Sequence, residues 1–101
     1  TGESIFLGKI MKVVADAYQI SVTDLKGKKK DKKYAVPRQI SIYIAREMTE
    51  ISYTELGNEY SGKDHSTMMY ADKKIRDLLK TDPSLESRVQ NLMREIKGYN
   101  K

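Results

Sequence analysis

The hexapeptide Gly62-Lys63-Asp64-His65-Ser66-Thr67 decides the fold of this 101-residue chain, because it separates two stretches with helical periodicity. Behind it, apolar residues recur at intervals of three or four, as on the buried face of an α-helix that runs to Lys80. This stripe consists of Met68, Ala71, Ile75 and Leu78. Asp64 is an N-cap candidate, since its carboxylate can accept hydrogen bonds from the free amides of the first turn. The only histidine of the chain is then expected at an exposed helix tip.

The segment before the hexapeptide predicts a short helix. Ser52-Tyr53-Thr54-Glu55 has the pattern of a capping box, and the helix that it opens is expected to end at Tyr60. Gly57 in the middle of that helix costs about 1 kcal/mol relative to alanine, which another helix crossing too closely for a Cβ would explain. With Ser61-Gly62 as the turn, the two helices form a helix-turn-helix.

The remaining periodicity predicts four more helical segments and no strand, and therefore an all-α domain of about six helices. A first helix is expected from its cap Ser4 to about Tyr18, with a buried face of Phe6, Ile10, Val13, Val14 and Ala17. A short helical turn starts at Thr23, a longer helix spans residues 37–49 with proline at its first position, and the last begins at Asp82-Pro83. The tail from Gly98 onward is expected to fray.

Positive charge is concentrated in one part of the chain. Nineteen Lys and Arg against fourteen Asp and Glu give a net charge of +5. Six lysines fall within residues 26–33, opposed only by Asp31, and residues 26–35 are expected to form a basic loop. Such clustering attracts polyanions. Arg38 and Gln39 are expected in the first helical turn, where a cation opposes the helix dipole by up to ~1 kcal/mol and a phosphate would relieve the conflict.

Composition argues against several other classes of protein. One His and no Cys leave no metal-ligand cluster and no disulfide. His65 beside Ser66 lacks the third group and the oxyanion hole of a catalytic triad, and Ser61-Gly62-Lys63 lacks the other residues of a Walker A loop. No run approaches the ~18 apolar residues of a membrane span, and no signal-peptide pattern appears. The absence of cysteine fits a reducing cytosol, and a cytoplasmic location is expected. The initial Thr suggests a fragment of a longer protein.

The order of these elements favours DNA binding. The first residues of the second helix of such a motif face base edges in the major groove, while basic residues reach phosphates or the adjacent minor groove. Two alternatives stay open: a protein- or acidic-membrane-interaction module that uses the basic loop, and a related DNA-binding domain of a transposase-like parent. Each feature alone has an ordinary explanation, such as a solvated lysine run or a surface histidine.

The chain also resembles a known family. The stretch Leu56-Gly57-x-x-Tyr60-Ser61-Gly62-Lys63-Asp64-His65-Ser66-Thr67-Met68-Met69-Tyr70-Ala71-x-x-Lys74-Ile75 is similar to the signature of the C-terminal domain of bacterial DnaA replication initiators. The resemblance extends over nearly the whole chain and implies a six-helix, Trp-repressor-like helix-turn-helix domain without enzymatic activity. It implies that a monomer binds a short AT-rich DnaA box in double-stranded DNA, in the nucleoid.

The resemblance also implies what surrounds this domain. Its parent would be an ATPase that uses ATP and Mg²⁺ in a part of the protein outside this chain, while the domain itself needs no cofactor. Oligomerisation would depend on those other parts. Initiation of chromosome replication, transcriptional autoregulation and contact with acidic phospholipid are the expected roles.

Most individual DNA contacts carry over from the family by position, while those of Lys28, Lys29, Lys73 and Lys74 follow from their charge and their place on the basic loop or on the second helix of the motif. Base contacts are expected from Lys30, Tyr53, Thr54, Asp64, His65 and Ser66. Backbone contacts are expected from Lys28, Lys29, Arg38, Gln39, Arg46, Lys63, Thr67, Lys73 and Lys74. Lys30, the expected minor-groove residue, and Lys63 stand where the family often has arginine. A lysine cannot reproduce a planar guanidinium, so box preference or affinity is expected to differ.

Overall fold

The computed structural model describes residues 2–98, with side chains from Phe6 onward, and that range contains six helices and no strand. The helices are α1 (Gly2–Ala17), α2 (Val22–Leu25), α3 (Lys32–Met48), α4 (Tyr53–Glu59), α5 (His65–Leu79) and α6 (Pro83–Lys97). The predicted all-α, helix-turn-helix architecture is confirmed. Residues 99–101 of the tail that was expected to fray lie outside the described range.

Three predicted helix starts are wrong, those of α1, α2 and α3. Helix α1 already begins at Gly2, so Ser4 lies inside it and is not its N-cap. Helix α2 begins at Val22 rather than Thr23, because Ser21 is the N-cap and its hydroxyl accepts from the Asp24 amide at 3.0 Å. The last helix starts as predicted, with the Asp82 side chain accepting from the amide of Leu85.

Helix α3 starts five residues earlier than predicted, at Lys32, which shortens the basic loop to residues 26–31. Pro37 lies in the second turn, where its fixed φ fits the helix and its missing N–H leaves only the carbonyl of Lys33 without its usual donor. The first-turn cations are therefore Lys32 and Lys33, and Arg38 lies one turn deeper.

The core is formed where α3 packs against α1 and α5, with α6 closing one side and α4 seated on α5. Fully buried side chains include Ile10, Val14, Leu25, Ile40, Ile44, Leu56, Tyr60, Met68, Ile75, Val89 and Ile96. The predicted stripes are largely correct, but Ala17 and Leu78 are exposed. On α1, Ile10 and Val14 are buried as predicted, but the buried set also includes Leu7, Met11 and Ala15, so its face is rotated relative to the prediction.

Candidate nucleic-acid interface

Helix α4 is held close to the start of α5 by a glycine. The capping box at its N-terminus is confirmed: the Glu55 amide donates to Ser52 Oγ at 3.1 Å, and the Ser52 amide donates to Glu55 Oε1 at 3.2 Å. Gly57 is buried, and a Cβ built there would lie 1.9 Å from the carbonyl oxygen of Lys63. The close neighbour is thus the main chain just before α5, not a crossing helix as predicted.

The turn between α4 and α5 uses two consecutive residues in the left-handed region, Ser61 at φ 65° and Gly62 at φ 70°. Just before them, Tyr60 is completely buried and its hydroxyl lies 2.7 Å from Ser41 Oγ on α3. Because Ser41 Oγ donates to the carbonyl of Arg38, the Tyr60 hydroxyl is the donor in this pair. Burial raises the pKa of Tyr60, so the hydroxyl keeps its proton. The turn is therefore anchored to α3.

Asp64 caps the N-terminus of α5, as predicted. Its Oδ1 accepts from both the amide and the hydroxyl of Thr67, at 3.0 and 2.9 Å. These hydrogen bonds lower the pKa of the Asp64 carboxyl, which keeps it ionised. Both bonds end on one oxygen, so the second carboxylate oxygen has no hydrogen-bond donor among the described residues. It can accept from a base amino group such as that of cytosine.

The exposed tip of α5 carries the predicted base readers and one residue that sequence reasoning missed. His65 and Ser66 are exposed, and so are Met69 and Tyr70, which stand one helical turn further on. Met69 is 47% exposed although it is apolar, and a thymine methyl is the kind of group that such a side chain contacts. The signal for Met69 was its position four residues after His65 and off the buried stripe.

The basic loop presents three consecutive exposed lysines, Lys28, Lys29 and Lys30. The Lys29 ammonium lies 3.2 Å from Asp24 Oδ1 and 4.8 Å from the centre of the Tyr34 ring. The hydrogen bond to Asp24 raises the pKa of Lys29. For Lys28 and Lys30, the described part of the chain shows no ion-pair partner. These two ammonium groups are the ones that the loop holds ready for phosphate or for the minor groove.

Arg38 is 7% exposed and its guanidinium faces the inside of the basic loop. Nε donates to the carbonyl of Leu25 at 2.6 Å, Nη1 to that of Lys29 at 2.8 Å and Nη2 to that of Asp24 at 3.0 Å. Burial lowers the pKa of the Arg38 guanidinium. A phosphate contact by Arg38 stays a prediction, and the structure gives this side chain a different role, namely to hold the loop.

A second network occupies two other predicted contacts. The Tyr53 hydroxyl donates to Asp72 Oδ2 at 2.6 Å, and the Arg46 guanidinium lies 4.1 Å from the centre of the Tyr53 ring. Arg46 Nη1 also donates to the carbonyl of Ile51 at 2.8 Å. The hydrogen bond to the buried Asp72 raises the pKa of Tyr53. Tyr53 on α4 thus contacts Arg46 on α3 and Asp72 on α5, so the network joins the three helices. Within α5, Asp72 also accepts from Arg76 at 3.0 Å.

Lys63 and Ser61 connect the turn to the basic loop. The Lys63 ammonium donates to the carbonyl of Gly27 at 2.8 Å and to that of Tyr60 at 3.3 Å. The Ser61 hydroxyl donates to the carbonyl of Lys26. Lys63 is half-buried, and this burial, with Arg38 as a neighbouring cation, lowers the pKa of Lys63.

The predicted contacts thus fall into two groups. Those that are exposed lie on the loop, at the start of α4 and along α5: Lys28, Lys29, Lys30, Thr54, Asp64, His65, Ser66, Thr67, Lys73 and Lys74. Those that are buried or half-buried, with their polar groups bonded within the protein, are Arg38, Arg46, Tyr53 and Lys63. Gln39 is half-buried, and the Lys73 ammonium is 3.3 Å from Asp77 Oδ2.

Two further findings bear on function. Among the described residues, no three His, Cys, Asp or Glu side chains are grouped so that they could hold a metal ion. No helix of the described chain has the length and apolarity needed to cross a membrane.

Comparisons with known proteins agree with this arrangement. A family model described as the bacterial dnaA protein helix-turn-helix matches residues 7–75. The chain is 43% identical to the chromosomal replication initiator protein DnaA of Treponema denticola over 93% of its own length and 20% of that protein. It is 48% identical to the DnaA of Lactobacillus johnsonii over 85% of the chain and 19% of the relative. The chain thus spans about a fifth of the length of these relatives. It therefore belongs to the bacterial DnaA family, as that family's helix-turn-helix DNA-binding domain and not as an enzyme.

Proposed function

We propose that this domain binds DnaA boxes in double-stranded DNA, one domain per box, with the tip of α5 in the major groove and the basic loop in the adjacent minor groove. In the parent protein this binding would direct the initiation of chromosome replication at the origin, in the nucleoid. The same recognition would serve transcriptional autoregulation where a promoter carries a box. ATP and Mg²⁺ would act in the parts of the parent outside this chain.

The observation that best supports this proposal is the position of two exposed elements, the tip of α5 and the basic loop, on either side of the turn between α4 and α5. His65 and Ser66 offer hydrogen-bonding groups at a helix N-terminus, which is the part of a recognition helix that meets base edges. Lys28 and Lys30 lie on the loop to which that turn is hydrogen-bonded. Base contacts would give specificity, and the lysines would supply most of the affinity.

The most direct test is fluorescence anisotropy with a labelled DnaA-box duplex and a scrambled duplex of the same composition. We expect the box to be bound more tightly at every salt concentration. With roughly six phosphate contacts, log K is expected to fall with log salt at a slope near −5. Equal affinity for both duplexes would contradict specific readout. Flotation with anionic liposomes is the companion measurement, since strong binding there without box preference would assign the loop to a membrane surface.

His65→Ala is expected to weaken binding to the box by about 1–3 kcal/mol and to relax the base preference at one position. The side chain is exposed, so the free energy of unfolding should stay within about 0.5 kcal/mol of the original. Lys28→Ala is the contrasting variant, because a lost phosphate contact should weaken box and scrambled duplex alike. If His65→Ala weakened both duplexes equally, His65 would not read a base.

A further inference from the structure

The basic loop is fastened to the helix-turn-helix turn through main-chain carbonyls. Lys63 Nζ donates to the carbonyl of Gly27 at 2.8 Å, across 36 residues of sequence, and Ser61 Oγ donates to that of the adjacent Lys26. Because the acceptors are main-chain groups, these bonds fix the path of the loop itself. The side chains of Lys28, Lys29 and Lys30 remain exposed.

The surroundings of Lys63 differ from those of the lysines that face solvent. Its ammonium has three N–H groups, of which one donates to Gly27 and another to the carbonyl of Tyr60 at 3.3 Å. The side chain is half-buried, whereas Lys28 and Lys30 are exposed. An ammonium held in this way has one N–H group left to donate to a phosphate. A phosphate contact would therefore be a smaller role for Lys63 than holding the loop.

The positive φ of Ser61 supports the same interpretation, in which the turn holds the loop. A serine at φ 65° is strained relative to glycine, which adopts this conformation freely. The hydroxyl that a glycine would lack is the group that reaches the loop. The Ser61 side chain thus has a role that the turn itself does not require, namely the hydrogen bond to the loop.

We propose that Lys63 and Ser61 are positioning residues, which hold the basic loop at a fixed distance from the N-terminus of α5 so that minor-groove and major-groove contacts form together. The inference rests on the proposed function, because it assigns these residues to the same box-binding surface. A loop already held in its bound position avoids the entropy loss of ordering it on DNA. Arg38 holds the loop to α3 through the carbonyl of Lys29, whereas these two hydrogen bonds hold it to the turn before α5. Without them, the loop lysines would no longer be aligned with α5 and would lose much of their contribution.

The test is a double-mutant cycle on the DnaA-box duplex. The loop variant Lys28→Ala/Lys30→Ala is measured in the original chain and again in the Lys63→Met background, which keeps a side chain of similar length without its donors. In the original chain we expect a loss of about tenfold in affinity. In the Lys63→Met background the same loop change should cost less than about twofold, because the lysines are already misplaced.

Ser61→Gly gives an independent arm, since it alters no charge and suits the backbone at this position. We expect it to preserve the thermal unfolding midpoint, to lower box affinity and to suppress the effect of the loop variant in the same way. Lys9→Met is the matched charge control. It removes one cation from an exposed position of α1, which packs against α2, α3 and α6, and should leave the full tenfold loop effect.

Several results would overturn the proposal. A loop effect that stays tenfold in both the Lys63→Met and the Ser61→Gly backgrounds would make Lys63 an independent phosphate contact. If Lys28→Ala/Lys30→Ala did not lower box affinity in the original chain, these lysines would not contribute to binding. The hydrogen bonds of Lys63 and Ser61 could then not act by positioning them. If Lys63→Met fails to fold, Ser61→Gly decides alone. Failure of the proposed function is seen separately, as an original chain that does not prefer the box.

Discussion

Replacing Gly57 by alanine is expected to lower the free energy of unfolding by about 3 kcal/mol, since it forces an extra methyl group into a closely packed site. Helix propensity alone predicts the opposite sign, because alanine is better than glycine in a helix interior by about 1 kcal/mol. The steric clash outweighs the gain in helix propensity, because the new Cβ would lie 1.9 Å from the carbonyl oxygen and 3.1 Å from the carbonyl carbon of Lys63. Both atoms are main chain, so either α4 or the start of α5 must move. Urea denaturation measures the loss.

Gly8→Ala is the matched control for that prediction. Gly8 also lies inside a helix, but nothing stands within 4 Å of a Cβ built there, so propensity should act unopposed. We expect it to stabilise the domain by about 1 kcal/mol. Whatever fraction of Gly57→Ala remains folded should also lose box preference, because the displaced segment carries Asp64 and His65. Stabilisation by both substitutions would contradict the close approach at Gly57.

The helix-turn-helix could be predicted from the sequence because its signals are local. The capping box at Ser52 and the N-cap at Asp64 involve groups three residues apart, and both are found as expected. The start of α3 was missed for a related reason. Local rules favour proline at the first helical position, because deeper in a helix it removes a hydrogen bond and crowds the carbonyl four residues earlier, yet Pro37 lies in the second turn. Val36, which precedes the proline, packs against the core, and no local signal marks that contact.

The same limit applies to the candidate site. The exposed tip of α5 follows from periodicity and capping, and so His65 and Ser66 were placed correctly at the surface. Apart from the Tyr60 carbonyl, which is three residues from Lys63, the hydrogen-bond partners of Arg38, Tyr53 and Lys63 lie 9 to 36 residues away in the chain. Most of these partners are carbonyls, which every residue possesses and which no sequence pattern marks. A basic or aromatic side chain that holds the protein together therefore looks the same in sequence as one that contacts DNA.

Arg38→Lys separates these two roles, because it keeps the charge and changes the geometry. We expect it to lower the free energy of unfolding by about 2–3 kcal/mol, since hydrogen bonds from a charged donor to buried acceptors are lost. The carbonyls of Asp24, Leu25 and Lys29 lie 2.6–3.0 Å from three different nitrogen atoms of the planar guanidinium. One ammonium nitrogen cannot occupy all three places.

DNA binding by Arg38→Lys distinguishes a phosphate contact from a residue that holds the loop. If Arg38 acted as a simple phosphate contact, a lysine would retain most of the charge interaction, and box affinity and salt slope would barely change. If it holds the loop, the displaced Lys28 and Lys30 should lower box affinity by about tenfold although the net charge is unchanged. Arg94→Lys is the control, because Arg94 is exposed on α6 and donates to Asn91, so its stability should change by less than about 0.5 kcal/mol. If Arg38→Lys changed neither the stability nor the box affinity, Arg38 would act as the phosphate contact that the sequence predicted. If both fell, the shape of the guanidinium and not its charge would be what the DNA-binding surface requires.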